Sequence, residues 1–275
     1  MLLSVHFTIL FRCKIDPRVD FACCCQCILQ FYSDAKFMYI CNLRLNKAII
    51  ITMENMNIKS LTEKNTDTII FDLGGVLLNL DFKRSIDSFI NLGFTDVEKE
   101  MSRLLYAHPA GNNLSLFHKY EKGLIGSDEF RDSLRKLAGK SITDNDLDRA
   151  WTAMLLDLHE KNVELLRSVK GSYRIFLLSN TNAIHIETLH RRNDNGVRYQ
   201  SVVELFEKVY YSHEVNMRKP DREIFDHVVN DSGLNAENAL FIDDSAHNIE
   251  AARSAGMQAY HHKAGTSLEP LLKIS

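Results

Sequence analysis

Short apolar runs recur along the later part of the chain, each closed by polar or small residues. Thr66–Leu73 (TDTIIFDL) holds the first and leads into Gly74 and Gly75. Arg174–Ser179 (RIFLLS), Lys208–Ser212 (KVYYS), Ala239–Asp243 (ALFID) and Met257–His261 (MQAYH) follow. Apolar residues occupy successive rather than alternate positions, the pattern of strands buried on both faces. Helical stretches separate the later runs. Asn182–Arg192 is one. Pro220–Asp231 is another, with proline at the first helical position and Asp221 and Glu223 in the first turn. Ala246–Ala255 is a third and stops at Gly256. This alternation predicts a doubly wound, Rossmann-like α/β fold with a parallel sheet and right-handed crossovers. The first run should lie at the centre, with the second and third on one side and the fourth and fifth on the other.

Residues 81–170 break the alternation. They show no convincing strand and read as several helices with stops at Gly93, Gly123, Gly139 and Gly171. Thr95…Glu98 has the form of a capping box, and Thr143…Asp146 is a weaker version. So long a segment exceeds a simple crossover and predicts an inserted α-helical cap domain. The α/β core then comprises residues 66–80 and 171–275.

Composition divides the chain differently. All six cysteines lie at or before Cys41, and all twelve glycines lie after Leu73. Residues 1–52 carry six basic residues against three acidic ones and follow neither the helical nor the strand period. A secretory signal fits poorly, because no charge precedes Leu2–Phe11 while Arg12 and Lys14 follow it. Cys24 and Cys27 have zinc-ligand spacing but no second pair to match. A disulfide framework has no cysteine to pair with in the rest of the chain, and a membrane anchor is a further reading. The expectation is a poorly ordered extension translated from an upstream start, with Met53 and Met56 just before the patterned region. The formal charge of the whole chain is −3, without the basic field of a nucleic-acid protein. No apolar run approaches the ~20 residues of a membrane span. A cytoplasmic enzyme acting on a small molecule fits these limits, with its oligomeric state left open.

The chemistry lies at the strand ends, where an open parallel sheet binds its ligands. Asp72 ends the first run, Ser179-Asn180-Thr181-Asn182 the second and Asp243-Asp244 the fourth, while Arg218-Lys219-Pro220 opens a helix. Three carboxylates brought together repel unless a cation neutralises them, and oxygen-only ligands select a hard ion such as Mg²⁺. Ser179 and nearby backbone amides can donate to phosphate oxygens, and Lys219 can neutralise the remaining anionic charge. Together these groups make an aspartyl-phosphate mechanism reasonable, with a small phosphorylated metabolite as the expected partner.

FDLGGV (Phe71–Val76), LLSNTN (Leu177–Asn182), the lysine of MRKPD (Met217–Asp221) and FIDDSAHNIEAA (Phe241–Ala252) resemble, in order and spacing, the four motifs of the haloacid dehalogenase superfamily. The resemblance spans residues 66–265 and is strongest to capped phosphatases, in a bacterial branch that includes a sugar-1-phosphate phosphatase. It implies that Asp72 is the nucleophile and a metal ligand, with the Gly74 carbonyl a second ligand. It implies that Asp244 binds the metal directly and Asp243 supports it through water. Ser179, Asn180 and amides near Gly74 and Gly75 would hold the phosphoryl oxygens, and Lys219 would steady the transferring group.

One position departs from the pattern. The family's phosphatases usually carry a second aspartate two residues after the nucleophile, and here that residue is Gly74. General acid–base help is typically worth ~10²–10⁴-fold. The favoured reading is a leaving group that needs little protonation, such as an anomeric hydroxyl, because the similar branch keeps its activity with glycine there. Asp81 or His118 could substitute, or the protein could mainly bind or regulate. A metal-free dehalogenase is a lesser alternative, disfavoured by the Asp243-Asp244 pair. In the cap, Phe117, His118, Tyr120, Glu121 and Trp151 could face the substrate. Trp151, Met154, Leu155 and Leu158 have the spacing of a helix packed in a core. Other histidines, among them His185, His190, His213 and His247, are expected at the surface or in caps.

Overall fold

The computed structural model describes residues 65–95, 114–194 and 196–272, with the backbone of three earlier strands. Strands β1 (Cys27–Phe31), β2 (Phe37–Cys41) and β3 (Ile49–Thr52) belong to a separate unit, Met1–Lys59, and form an antiparallel sheet in chain order. Sequence periodicity does not predict them. They are short, uninterrupted β-branched and aromatic runs such as IIIT and FMYIC, which carry no alternation to detect. Cys24 and the Thr95…Glu98 box fall partly or wholly outside the described residues.

In the second unit the strands are β4 (Thr68–Phe71), β5 (Leu78–Leu80), β6 (Leu155–Leu158), β7 (Arg174–Ser179), the two-residue strands β8 (Asn193–Asp194) and β9 (Val197–Arg198), β10 (Lys208–Tyr211), β11 (Ala239–Asp243) and β12 (Gln258–His261). Five of them form a parallel sheet in the order β10-β7-β4-β11-β12, the predicted order. Successive residues of the central strands enter opposite cores. Ile69, Phe71, Leu177 and Ile242 pack on one face, and Ile70, Phe176, Leu178 and Phe241 on the other. The order reverses at β4, so a crevice opens at its carboxyl end between β7 and β11.

The insertion contains the helices Phe82–Asn91, Leu116–Glu121, Ser127–Ala138 and Asp144–Thr152. Thr143 caps the last of these, accepting from Asp146 N and donating to the Asp146 carboxylate, as the sequence predicts. Trp151 is the hub. It stacks on Phe117 at 5.1 Å and on His185 at 4.9 Å, and lies 5.3 Å from Phe130. Its indole N–H donates to Asn182 Oδ1 at 3.1 Å, joining the insertion to the sheet domain.

Two expected elements differ. The segment after Trp151 leaves the helix, and Leu155–Leu158 pairs antiparallel with Leu78–Leu80. Tertiary partners capture its backbone. Asp81 N donates to Met154 O, Met154 N donates to Ser85 Oγ, and Arg192 donates to Leu155 O and Leu156 O. Those bonds replace an intrahelical ladder, so residues with helical spacing are buried in a strand instead. The predicted helix at Pro220 begins at Arg222, with Asp221 as its N-cap. Pro220 lies in a preceding turn closed by Asp221 N donating to Arg218 O at 2.9 Å.

Helix Glu160–Val169 is tied to the sheet domain through Asn162, which is fully buried. Its amide donates to Val76 O (2.7 Å) and Thr266 O (3.2 Å) and accepts from Leu268 N (2.8 Å). Asn162→Ala strands three backbone groups and is expected to cost on the order of 3 kcal/mol. Urea unfolding should show a lower midpoint at an unchanged slope.

Candidate active site

Parallel strands deliver four polar groups to one point. Asp72 follows β4, with its N–H donating to Ile242 O at 2.9 Å, and Ser179 is the last residue of β7. Asp243 ends β11 and Asp244 follows it. Lys219 arrives from the loop after the short helix Ser212–Val215. Its ammonium is 1% exposed and is fully engaged, 2.8 Å from Asp72 Oδ1, 2.7 Å from Asp243 Oδ2 and 2.8 Å from Leu178 O. Burial works against that charge, yet Asp243 and Asp72 hold the lysine pKa above its ordinary value.

The acids differ in what they have left to offer. Asp243 accepts from Lys219, from Ser245 N at 2.8 Å and from Asn248 Nδ2 at 3.0 Å on both oxygens. It caps no helix, since the next one starts at Ala246 with Ser245 as N-cap. No side chain among the described residues bonds the Asp244 carboxylate, and Lys219 contacts only Oδ1 of Asp72. Burial pushes the Asp72 carboxyl up, Lys219 pulls it back, and Asp243 and Asp244 push it further, to about 8. Burial and then Asp243 raise Asp244 to about 6. Oxygen atoms of the three acids lie within 4.8 Å of one another. Asp72 and Asp244, raised by burial and then by neighbouring acids, have carboxylate oxygens that no described side chain other than Lys219 bonds, and such a pair fits a hard divalent cation.

Glycine at position 75 is required by this arrangement. Its φ is +73°, and a Cβ there would lie 2.2 Å from Asp244 Oδ2. The Gly75 N–H, expected among the phosphate-binding amides, donates to Leu78 O at 2.8 Å. Asn180 is also engaged within the protein. Its amide brackets the Lys219 backbone, with Oδ1 accepting from Lys219 N (2.9 Å) and Nδ2 donating to Lys219 O (2.8 Å). Its side chain therefore helps to place the lysine. Ser179 is buried at the cavity wall, and Gly74 lines the same wall.

The cavity has a volume of about 710 Å³. His118 does not line it; the ring is buried in helix Leu116–Glu121 with Nδ1 2.8 Å from Ser115 Oγ. Asp81 does not line it either, being the N-cap of helix Phe82–Asn91. Glu121 and Trp151 do line it, whereas Phe117 and Tyr120 belong to the aromatic core. Three contributors escape a reading of the sequence alone. Asn248 holds Asp243 from one turn into the next helix, five positions along. Arg218, beside Lys219, makes a buried ion pair with Glu121 at 3.1 Å across the junction with the insertion. His185 is buried against Trp151, with Nε2 3.3 Å from Trp151 O, and burial lowers its pKa to about 4. Arg218 and Asn248 lie within the quoted motifs, but nothing there marks their partners; nothing local marks His185.

A buried carboxylate paired with a buried lysine, with two further acids beside it at the carboxyl end of a parallel sheet, is a site built on acidic groups in an α/β fold. A model of the haloacid dehalogenase-like hydrolases matches residues 66–256, and the chain belongs to that family. It is similar to a D-ribitol-5-phosphate phosphatase of Bacteroides thetaiotaomicron, with 27% identity over 206 residues, covering 75% of this chain and 96% of that one. A crystal structure of a HAD family enzyme from the same organism is 37% identical, with a TM-score of 0.66 over 74% of this chain and 97% of the other. That enzyme has also been solved as a magnesium complex, 36% identical with a TM-score of 0.65, the coverage being 74% and 96%. A predicted HAD-like hydrolase of Porphyromonas gingivalis is 31% identical, with a TM-score of 0.66 and coverage of 74% and 95%.

Proposed function

We propose that the chain is a Mg²⁺-dependent phosphoric monoester hydrolase acting in the cytoplasm on a small phosphomonoester, a sugar phosphate, through an aspartyl-phosphate. The observation that carries this reading is Asp72, held at 2.8 Å by the buried Lys219 and set with Asp244 on the wall of a cavity. Asp72 Oδ2 attacks phosphorus while Lys219 steadies the nucleophile and offsets charge on the transferring group. Ser179 donates to a phosphoryl oxygen. Asp72, Asp244 and the Gly74 carbonyl would hold the metal, with Asp243 behind them. Bound there, Mg²⁺ supplies charge neutralisation for the acids and the phosphoryl oxygens. Residues 81–170 serve as the cap that excludes bulk water. The phosphatase relative and the solved magnesium complex support this reading.

The test is phosphate release from a panel of sugar and polyol phosphates. Turnover should require Mg²⁺ and fall by more than ~10²-fold on chelation, as expected when several kcal/mol of charge stabilisation are withdrawn. Turnover undiminished in chelator would overturn the metal assignment, and halide release in its place would overturn the reaction class.

A further inference from the structure

His185 lines the cavity but has no part in the phosphoryl chemistry. Helix Ala183–Arg191 turns one face to the cavity, since Leu189, one turn beyond His185, lines it too. Trp151, stacked on the imidazole at 4.9 Å, and Met154 and Leu155 just after it line the cavity as well. The histidine is thus a polar group set in a largely apolar stretch of wall.

The setting of the ring fixes its tautomer. Asn182 Oδ1 accepts from His185 N and from the Trp151 indole N–H, each at 3.1 Å, which places the helix and the stacked ring together. Nε2 lies 3.3 Å from Trp151 O, and a carbonyl oxygen only accepts, so Nε2 carries the hydrogen. Burial disfavours the charged ring and lowers its pKa to about 4, so the imidazole is neutral near pH 7. A neutral ring with its hydrogen on Nε2 keeps a lone pair on Nδ1. Nδ1 bonds no described residue and, unlike Asn182 Nδ2, is not sealed from solvent. The cavity is the space it is open to.

We infer that His185 is a specificity-determining residue: its Nδ1 accepts a hydrogen bond from a hydroxyl on the carbon chain of the phosphate ester, so the enzyme prefers esters with a hydroxyl at that place. The inference rests on the phosphatase reading above and deepens it. Nδ1 cannot donate. A hydroxyl supplies the hydrogen that the lone pair needs, a methylene leaves it unpaired, and a carboxylate sets further lone pairs against it. Hydroxylated, uncharged chains fit this wall, and alkyl chains or chains with an acid at that carbon do not. Other polar groups line the same cavity, Asn79, Glu121, His247 and His261 among them, so the experiment has to separate His185 from these.

It does so by setting substrate against side chain. Ribitol 5-phosphate, or the sugar or polyol phosphate turned over best where that one is not, is compared with its singly deoxygenated analogues in the presence of Mg²⁺. In the wild type one analogue should lose roughly 10–10²-fold in kcat/KM, the range for a buried acceptor left unpaired. In His185→Phe the gap between that analogue and its parent should close, as in a double-mutant cycle between hydroxyl and imidazole. Ser85 Oγ, 3.0 Å from Trp151 O, still bonds that carbonyl in the variant, so no backbone group is orphaned. His185→Gln presents a carbonyl oxygen and should keep part of the gap. Nitrogen NMR needs no change at His185. In Asp72→Asn protein with Mg²⁺, saturating ester should move the His185 Nδ1 signal upfield, and an unmoved signal would overturn the inference even if the Phe variant fails to fold. Equal turnover of the parent and every analogue would overturn it while leaving the phosphatase reading intact, as would turnover confined to esters without hydroxyls. A uniform loss in His185→Phe with the gap preserved would reduce the histidine to a structural role. A gap that closes on Glu121→Gln and survives His185→Phe would overturn the inference in favour of the carboxylate. No turnover of any ester would sink the phosphatase reading and this inference with it.

Discussion

Asp72→Asn is expected to abolish phosphate release and, in the metal-free protein, to raise the melting temperature. The first effect follows from removing the nucleophile. An amide cannot form the aspartyl-phosphate, and loss of such a group typically costs a factor of roughly 10⁴ or more in kcat. The second follows from the company Asp72 keeps. Its carboxylate is buried beside Asp243 and Asp244, with one ammonium to offset them, and its pKa in the folded chain is about 8 against an ordinary 3.8. Between those values the folded protein binds more protons than the unfolded one, so this group makes stability fall as pH rises. The amide removes that dependence and leaves Lys219 bonded to Asp243 and Leu178 O. A gain of about 1–2 kcal/mol at pH 7, or roughly 3–6 °C, is expected in chelator. Added Mg²⁺ should narrow the difference by stabilising the wild type more. Scanning calorimetry of both proteins from pH 5 to pH 8, with and without metal, measures it. A melting temperature that drops on substitution would show that Asp72 stabilises the fold and that the acids are not under strain.

The strand runs of the sheet were legible because burial on both faces leaves continuous apolar sequence, and three of the five runs lead directly into Asp72, Ser179 and Asp243. The strand order, with Thr68–Phe71 at the centre, agrees with the expectation. The part that was not legible depends on contacts between distant segments. Leu155–Leu158 carries helical spacing, and pairing with Leu78–Leu80, supported by Arg192 and by the bonds of Met154 with Asp81 and Ser85, makes it a strand. Asn180 lies in a motif, but its side chain works on the Lys219 backbone, a role set by residues thirty-nine positions apart. Gly74 stands out in the sequence as an absence. That its place is filled by Leu80 comes from the turn closed by Gly75 and Leu78, which no periodicity reports. Local rules thus reached the strands of the sheet and the polar groups at their ends, while the supports of those groups required the folded chain.

Lys219→Met should be the most disruptive single change in the sheet domain. The side chains are similar in length, so the loss is one of charge, and the ammonium has no slack to be replaced by water. It is 1% exposed and bonds two carboxylates and a carbonyl, with the Phe241 ring 5.3 Å away. Removing it leaves Asp72 and Asp243 buried without a counter-charge, which typically costs about 3–5 kcal/mol. Arginine is not a remedy, because its planar fork is larger than an ammonium and the side chain it would replace is already fully enclosed. Lys219→Arg should therefore also be inactive. The acids of the Met variant retain one partner of opposite sign, the divalent cation, so Mg²⁺ should raise its melting temperature by more than it raises that of the wild type. Activity should stay below detection even when the fold is restored, since nothing then steadies the Asp72 carboxylate or offsets charge on the phosphoryl group. Thermal unfolding of the variant across a magnesium titration, with phosphate release measured at each point, tests both halves. A Met variant as stable as the wild type in chelator would mean that the carboxylates are neutral in the folded chain and that the ion pair contributes nothing.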